Sequence, residues 1–284
     1  MSNLFVMAIK QDPTRTTTLR KQYESDLVRR FNAMIKLIEQ VFMDSEPIIL
    51  ATNAPRKFKF EPKAEKIDDF MDWLRQQERK EILEVQYGTP QRKASSSSWQ
   101  NVYLKRAYKQ GVNSAAQQLR KGGTKVKDTW VDASFDRPMH ADRVGIIYSR
   151  AYGNLEGITS AMDKQISAAL ATGVSQGLGM AAISKLVVDR VKKVGIARAR
   201  VLARTEVINA HAEASLNSYE EAGIEGVNVQ SEFATAQDNK VCPKCEKLEG
   251  RTYSIKSARS IIPVHPNCRC AWLPVVKSPG RTLG

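Results

Sequence analysis

All four cysteines of this 284-residue chain lie between Cys242 and Cys270. The first two form a C-x2-C knuckle, and a second group of candidate ligands begins twenty residues after it. The predicted metal ligands are Cys242, Cys245, His265, Cys268 and Cys270. Two thiolates with two residues between them can bind one tetrahedral ion from a single turn, and a pair of ligands from a distant loop completes the site. We therefore predict one structural Zn²⁺ whose ligand positions are all filled by protein groups.

Several alternatives to this zinc site stay open at the level of sequence. Five candidates compete for four positions, so either Cys268 or Cys270 is expected to be a spare or supporting group. A disulfide between the two pairs would give the same cross-link without metal, and buried cysteines can also serve as small apolar residues. Four cysteines are few for a secreted disulfide scaffold in a chain of this length. A reduced compartment and a metal site are the better starting hypothesis.

An enzymatic interpretation of the same region is also available. His211-Ala-Glu213 upstream of Cys242-x-x-Cys245 imitates the H-x-E…P-C-x-x-C signature of zinc nucleobase deaminases, in which Glu213 would act as general acid and base. However, Pro243 follows the first cysteine, and His211 falls inside a long predicted helix. We therefore expect no catalytic activity and keep a zinc-dependent enzyme acting on nucleic acid as the alternative.

Hydrophobic spacing predicts a mainly α-helical protein that ends in a small α+β zinc-binding unit, with long helices followed by a short β-sheet and the metal knuckle. Apolar residues recur at three- or four-residue steps in six segments, and the period changes to two in a seventh. The six predicted helices cover residues 14–43, 67–85, 99–120, 144–173, 181–195 and 196–222, and the predicted strand covers 227–233.

Breaks in these patterns predict the domain organisation. The stretch Pro47–Pro62 is turn-rich, with β-like pieces at Ile48–Leu50 and Phe58–Phe60, and Pro47 should end the first helix. Gly88–Ser98 contains Gly, Pro and four successive Ser, which predicts a linker. The predicted regions are a helical region (1–88), a basic linker and helix (89–140), a C-terminal module (141–276) and a tail (277–284).

The positive charge of the chain is concentrated in two windows. Lys and Arg number 44 against 30 Asp and Glu, and residues 89–131 and 241–284 together hold the whole net charge of +14. Such clusters point to a polyanion, so we predict sequence-independent contact with double-stranded DNA. The predicted contacts are Arg92, Lys93, Lys105, Arg106, Lys109, Arg120, Lys121, Lys125 and Lys127. The aromatic residues among them could stack on bases or belong to the core, and the charges could equally form a solvated face.

A further group of polar residues is predicted to form a buried hydrogen-bond network that ties a helix to the sheet. This group comprises Arg204, Thr205, Glu206 and Asp238. No apolar run approaches the roughly 18 residues that span a bilayer, and the N-terminus lacks a basic region before its short apolar stretch. We therefore expect a soluble protein that is not exported by a standard signal.

Taken together in order, these motifs resemble the head-morphogenesis module of tailed-phage minor head proteins, the family typified by Mu protein F and the SPP1 minor head protein. The similar segments are Ala203–Glu206, Ala234–Asp238, Val241–Gly250 and His265–Cys270. The likeness covers about residues 170–276. Phe233 stands where the family usually has Trp, and Lys240 stands where Arg is usual.

The resemblance implies a protein present in few copies inside the phage head, at the portal vertex and beside packaged DNA, after assembly in the host cytoplasm. It implies the portal protein as a partner, with the major capsid protein or a scaffold as further candidates, and no membrane during assembly. It implies no enzymatic activity. A zinc-knuckle DNA-binding protein of the host is a third interpretation.

Overall fold

The computed structural model describes residues 12–43, 58–85, 88–278 and 283. The chain forms two compact units, each built from separate segments. We call Glu24–Trp99 with Tyr152–Arg200 the helical unit, and Met1–Tyr23 with Gln100–Ala151 and Val201–Gly284 the sheet unit. The linear domain boundaries predicted from the sequence stay predictions.

The described residues are mainly helical, as the sequence predicted. In chain order the helices are α1 (Thr17–Met43), α2 (Ile67–Gln77), α3 (Gln91–Ser97), α4 (Asn101–Lys121), α5 (Asp128–Ala133), α6 (Pro138–Ser175), α7 (Met180–Arg190), α8 (Ala197–Ile224), α9 (Pro243–Glu246) and α10 (Ile255–Ala258). The strands are β1 (Asn228–Ala234), β2 (Thr252–Tyr253) and β3 (Ala271–Ser278). None of the helices in these residues is long and apolar enough to cross a membrane.

The helical unit is held together by apolar stripes of long helices. The stripe predicted for the first helix is confirmed, because all of its residues are buried. Leu19 and Tyr23 belong to the sheet unit, and the helical unit contains Leu27, Phe31, Ile35, Ile38 and Phe42. Within the unit, the rings of Phe42, Phe60 and Phe70 have centroids 5.2–5.5 Å apart. Phe58–Phe60 is therefore not the predicted β-like piece, because its aromatic side chains pack onto helices and no strand lies beside it in the described residues. Pro47 and Ile48–Leu50 lie outside the described residues.

The prediction that a helix stops at Gly195 is wrong. A π-helical turn at Val191–Ile196 joins α7 to α8, so the chain stays helical from Met180 to Ile224. A Cβ atom at Gly195 would lie 2.6 Å from two ring carbons of Phe31. Glycine is needed at this position because it lets α1 approach closely, which is a packing requirement and not a stop signal.

The segment predicted as a linker is also different in the structure, since most of it forms α3. The serine hydroxyls donate to carbonyl oxygens of the preceding turn: Ser95 to Arg92 at 2.9 Å, and Ser96 and Ser97 to Lys93 at 3.0 and 2.8 Å. Ala94 and Ser95 are buried. Small residues that satisfy their own hydroxyls can therefore pack as a short helix. Between the predicted helices 99–120 and 144–173, where no element was predicted, the structure likewise contains α5.

The sheet unit contains a three-stranded antiparallel sheet in the order β2-β1-β3. This confirms the small C-terminal sheet and the predicted strand. Phe233 of β1 pairs in register with Trp272 of β3, and their rings meet edge to face with centroids 5.6 Å apart. Both rings are fully buried in one cluster with Trp130 and Tyr219. This cluster supports the face of the sheet below the cysteine-rich loops.

Candidate metal centre and basic surface

The knuckle is built by a very short helix. Cys242 caps the N-terminus of α9, its Sγ accepts a hydrogen bond from the backbone N–H of Cys245 at 3.4 Å, and Pro243 occupies the start of the helix, where no N–H is required. The two thiols therefore share one turn. Cys245 is buried and Cys242 is partly exposed.

The loop that returns to the sheet brings an imidazole to these thiols. His265 Nε2 lies 3.2 Å from the Sγ atoms of both Cys242 and Cys245. Its Nδ1 lies 2.7 Å from the carbonyl oxygen of Pro266, so Nδ1 carries the proton and donates it. This leaves the lone pair of Nε2 available for a metal. Tetrahedral zinc with its usual bond lengths sets N and S ligands about 3.5 Å apart, close to these separations.

The other two cysteines, Cys268 and Cys270, lie close to the Sγ atom of Cys245. Cys242, Cys245 and His265 form one group of close ligand atoms, and Cys245, Cys268 and Cys270 form a second, so Cys245 belongs to both. The structure thus brings all five predicted ligands together. All four cysteines are free thiols, so no disulfide makes the cross-link.

A cavity of about 30 Å³ lies at this cluster. Among its described lining residues are Cys242, Cys245, His265 and Cys270, but Cys268, which is fully buried, is not one of them. A space of this size is enough for one small ion or one water molecule. Three thiolates and one imidazole are a donor set that suits zinc in a closed structural site.

The four thiols hydrogen-bond to one another, and their pKa values differ for several reasons. The hydrogen bond with Cys270 lowers the pKa of Cys268 to about 5, and the same contact, together with burial, raises the pKa of Cys270. Burial raises the pKa of Cys245 to about 12, whereas the backbone N–H of Cys245 lowers the pKa of Cys242. A divalent cation would remove this competition, because it stabilises every thiolate that ligates it.

Two polar contacts fix the loop that carries the second ligand group. Arg269 donates both terminal nitrogens to the carboxylate of Asp238 at 2.6 Å, and this contact lowers the pKa of Asp238 to about 2. Asp238 also accepts from the backbone N–H of Lys240 at 3.0 Å. Thr205 of α8 accepts from the backbone N–H of Asn267 at 3.3 Å. The ligand loop is thereby tied both to the segment after β1 and to the long helix.

The predicted polar network therefore separates into different contacts. Thr205 and Asp238 act on the ligand loop, as described above. Glu206 is fully buried, with its carboxylate 3.5 Å from Arg150 Nε of α6. Arg204 is half-buried. Burial of Arg20 lowers the pKa of that guanidinium, and the charge of Arg204 lowers it further.

The deaminase signature is not assembled. Glu213 is 2.9 Å from Arg259 Nη1 and 3.5 Å from Arg143 Nη1, so its carboxylate is held by two guanidinium groups. His211 is fully buried, burial lowers its pKa to about 4, and it belongs to neither ligand group found among the described residues. Glu213 is therefore engaged elsewhere in the fold, and His211 does not join the cysteine cluster.

Sequence reasoning missed a buried polar contact between α6 and α8 in the sheet unit. His140 Nε2 lies 3.1 Å from Glu221, and its Nδ1 lies 2.9 Å from the hydroxyl of Tyr108. Arg137 also pairs with Glu221. Burial lowers the pKa of His140 to about 4, so the ring is neutral near pH 7. No local sequence pattern signals this contact, because the partners of His140 lie on two other helices.

All nine predicted DNA contacts are exposed. Arg92 and Lys93 lie on α3 of the helical unit, and the other seven belong to the sheet unit. Arg120 is partly committed, because it donates to Val126 O at 2.8 Å and to Asp128 at 2.6 Å. The structure thus presents cations to solvent along this window.

The aromatic residues of the same window do not accompany these cations. Tyr103, Tyr108 and Trp130 are buried in the core, and Trp99 lies beneath the guanidinium of Arg30, 3.9 Å from its ring centroid. Base stacking by these side chains is therefore excluded in this conformation, and the core alternative applies to them.

Comparison with known proteins adds to this geometry. A family model described as Phage Mu protein F like protein matches residues 164–273. The matched range contains β1, the knuckle, the ligand loop and Thr205, which include the motifs that carried the resemblance. No curated protein and no solved structure is significantly similar to the chain. The match supports a phage head-related protein. The resemblance is confirmed over residues 164–273, which are similar to the family of Phage Mu protein F like proteins.

Proposed function

We propose that the protein is a minor head protein of a tailed phage that resides inside the head near the portal vertex and supports head assembly and infectivity. The observation that carries this proposal is the family match over residues 164–273, a range that holds the whole cysteine and histidine cluster. In this proposal the protein is a virion component that assembles in the host cytoplasm.

The proposed cofactor is one structural Zn²⁺ held by Cys242, Cys245, His265 and Cys270. The cavity lining supports this choice, because it includes these four residues and leaves Cys268 as a supporting thiol. An ion with four protein ligands has no open position for a reacting water molecule. Its contribution is a cross-link between two loops.

The role of this cross-link follows from where its ends are attached. One end is the knuckle at α9, and the other is the loop that runs directly into β3 and the buried Trp272. A fixed surface on these loops suits contact with another protein. We propose the portal protein as the partner, with the major capsid protein or a scaffold as further candidates.

The proposed DNA contact is sequence-independent and directed to the phosphates of double-stranded DNA. The exposed cations of α4 and its neighbours supply charge, while the buried aromatics of the same window are unavailable for base stacking. Phosphate contacts position a protein on DNA but carry no sequence information directly. This matches a protein that must tolerate any packaged sequence.

No catalytic step belongs to this proposal. Glu213 is held by two arginines, and the proposed ligands complete the coordination of the ion. The family is one of structural head proteins, which is consistent with the absence of enzymatic activity.

Protease protection in purified particles tests the location. We expect quantitative mass spectrometry to find a few copies per virion, resistant to protease in intact particles and digested once the heads are opened. An exposed tail protein, digested in both samples, is the matched control. Absence of the chain from virions, or its digestion in intact particles, contradicts the proposal.

A further inference from the structure

A polar groove of about 190 Å³ lies in the sheet unit, beside the outer face of α4. The turn before α1 forms one side of the groove. The lining residues that matter here are Arg15, Gln110, Asn113, Ser114, Gln117 and Lys121. Arg15 and the four neutral residues were not among the predicted DNA contacts.

The chemistry of the lining selects the kind of ligand. Both charged side chains are cations, and the described residues that line the groove include no carboxylate. The amides and hydroxyls between the cations can donate to phosphate oxygens and to sugar oxygens. The volume falls below the roughly 300 Å³ of common small-ligand pockets, so it suits a phosphate with its sugar better than a whole nucleotide.

The turn that carries Arg15 is fixed by its neighbour Asp12. The carboxylate of Asp12 accepts from Thr14 Oγ1 at 2.7 Å and from the backbone N–H of Thr17 at 2.8 Å, and it pairs with Arg20 at 3.1 Å. The backbone N–H of Arg15 also donates to Asp12 O at 3.0 Å. The acid closest in sequence to Arg15 is therefore occupied, and the turn is ordered before any ligand arrives.

The opposite wall of the groove is fixed by the core. Gln118 accepts from the hydroxyl of Tyr219 at 2.6 Å and donates to Ser114 at 3.3 Å. On the inner side of α4, a Cβ atom at Gly111 would lie 2.5 Å from His211 O of α8. The inner face of α4 therefore lies flush against α8, and its outer face is left for the groove.

Further exposed cations are spread over the solvent side of α4. Lys105, Arg106 and Lys109 precede the groove on the outer face of α4, and Lys121 stands at the far end of the helix. At 1.5 Å per residue, Lys105 and Lys121 are about 24 Å apart along the axis, which is roughly seven phosphate steps of one DNA strand.

We propose that this groove binds the sugar–phosphate backbone of duplex DNA, with Arg15 and Lys121 on phosphate oxygens and the amides of Gln110, Asn113 and Gln117 on neighbouring phosphate and sugar oxygens. This inference rests on the proposed DNA contact and assigns it a specific site.

Fluorescence anisotropy with a 20-base-pair duplex, at several salt concentrations, tests the site in the full-length protein. The double variant R15Q/K121Q should reduce the slope of log K against log salt by about two, because roughly 0.9 counterion is released per phosphate contact. The variant N113F fills the groove without changing charge and should also weaken binding. K185Q, an exposed lysine of α7 outside both basic windows, is the matched control and should leave the slope unchanged.

The possible failures are distinguishable. If the wild type binds with a steep salt slope and both groove variants behave like K185Q, the groove assignment is wrong and the DNA contact stands. If the wild type shows no salt-dependent binding, the DNA contact and the groove are both wrong. Weaker binding to only some sequences would mean that the amides read bases, which overturns the backbone assignment. Retained DNA binding, with loss only of an NMR shift caused by inorganic phosphate, would assign the groove to free phosphate and overturn it as well.

Discussion

The helical unit and the cysteine-rich segment of the sheet unit, residues 235–270, are stabilised in different ways. The helical unit consists of long helices with buried stripes, such as Phe31 and Met162. By contrast, residues 235–270 contain α9 and α10, with four residues each, and β2, with two. Elements of that length bury little apolar surface, so we expect polar contacts and the proposed ion to supply the stability that packing cannot. The comparison predicts that metal removal acts on one region and core substitution on the other.

The largest expected effect is loss of order around the metal when a ligand is removed. Cys242→Ser should expose the backbone of residues 240–276 to hydrogen exchange, while the helices of the helical unit keep their protection. Structural zinc binding is worth about 10–16 kcal/mol in small zinc-finger peptides, so the loss exceeds anything that the local contacts can offset. Hydrogen exchange followed by mass spectrometry measures both regions in one experiment.

A matched pair of cysteine variants sharpens the ligand assignment. Zinc analysis of reduced protein should find one equivalent in the wild type and in Cys268→Ala, but less than about a tenth in Cys270→Ala, because a missing fourth ligand opens the site. The reverse pattern would assign Cys268 as the ligand. A wild type without zinc and with paired cysteines would replace the ion with a disulfide.

A glycine pair tests the other side of the comparison. Gly195→Ala should lower the free energy of unfolding of the helical unit by about 1–3 kcal/mol, because the added methyl meets the ring of Phe31 at 2.6 Å. Gly157→Ala of α6 has no neighbour within 4 Å of its new Cβ and should stabilise the same unit by up to about 1 kcal/mol. Denaturant unfolding with zinc present measures both. Equal effects of the two variants would contradict the packing role of Gly195.

Sequence patterns predicted the regions where one kind of interaction, such as apolar burial or metal binding, determines the structure. The stripe of α1 and the period-two pattern of β1 were predictable because apolar burial alone determines them. The clustering of Cys242 and Cys245 with His265 followed from spacing, since a knuckle and a distant pair suit one ion. In these cases local pattern and tertiary contact agree, so one sequence is enough to predict them.

Other features depend on partners that are distant in the sequence. Gly195 was interpreted as the end of a helix. Glycine is needed there because the ring of Phe31, more than 160 residues earlier in the chain, lies against it, and a local pattern cannot show that contact. The serine-rich segment was interpreted as a linker because its hydroxyls find carbonyl oxygens to donate to only once a helix has formed. His140 received no role, since its contacts with Tyr108 and Glu221 come from two other helices.

A buried pair of acids in the helical unit leads to a prediction about the dependence of stability on pH. Glu78 lies in the π-helical turn that follows α2, is almost fully buried, and shares a hydrogen bond with Asp163 of α6. Burial, and then the charge of Asp163, raise the pKa of Glu78 to about 10, and burial also raises the pKa of Asp163. Arg75 Nε lies 3.3 Å from Asp163 and compensates part of the charge. One proton is therefore held between the two carboxyl groups near neutral pH.

The sign of the resulting pH dependence follows from this proton. Between the usual pKa of a free glutamate and about 10, the folded state holds a proton that the unfolded state has released, so the helical unit should lose stability as pH rises, on the order of 1 kcal/mol per pH unit. Glu78→Gln keeps the shape and donates permanently to Asp163, so its unfolding free energy should vary less between pH 6 and pH 9 and exceed that of the wild type at pH 9. Glu65→Gln, an exposed position before α2, is the control and should follow the wild type. Parallel pH profiles for wild type and Glu78→Gln, measured by urea unfolding, would show that Glu78 is ionised in the fold.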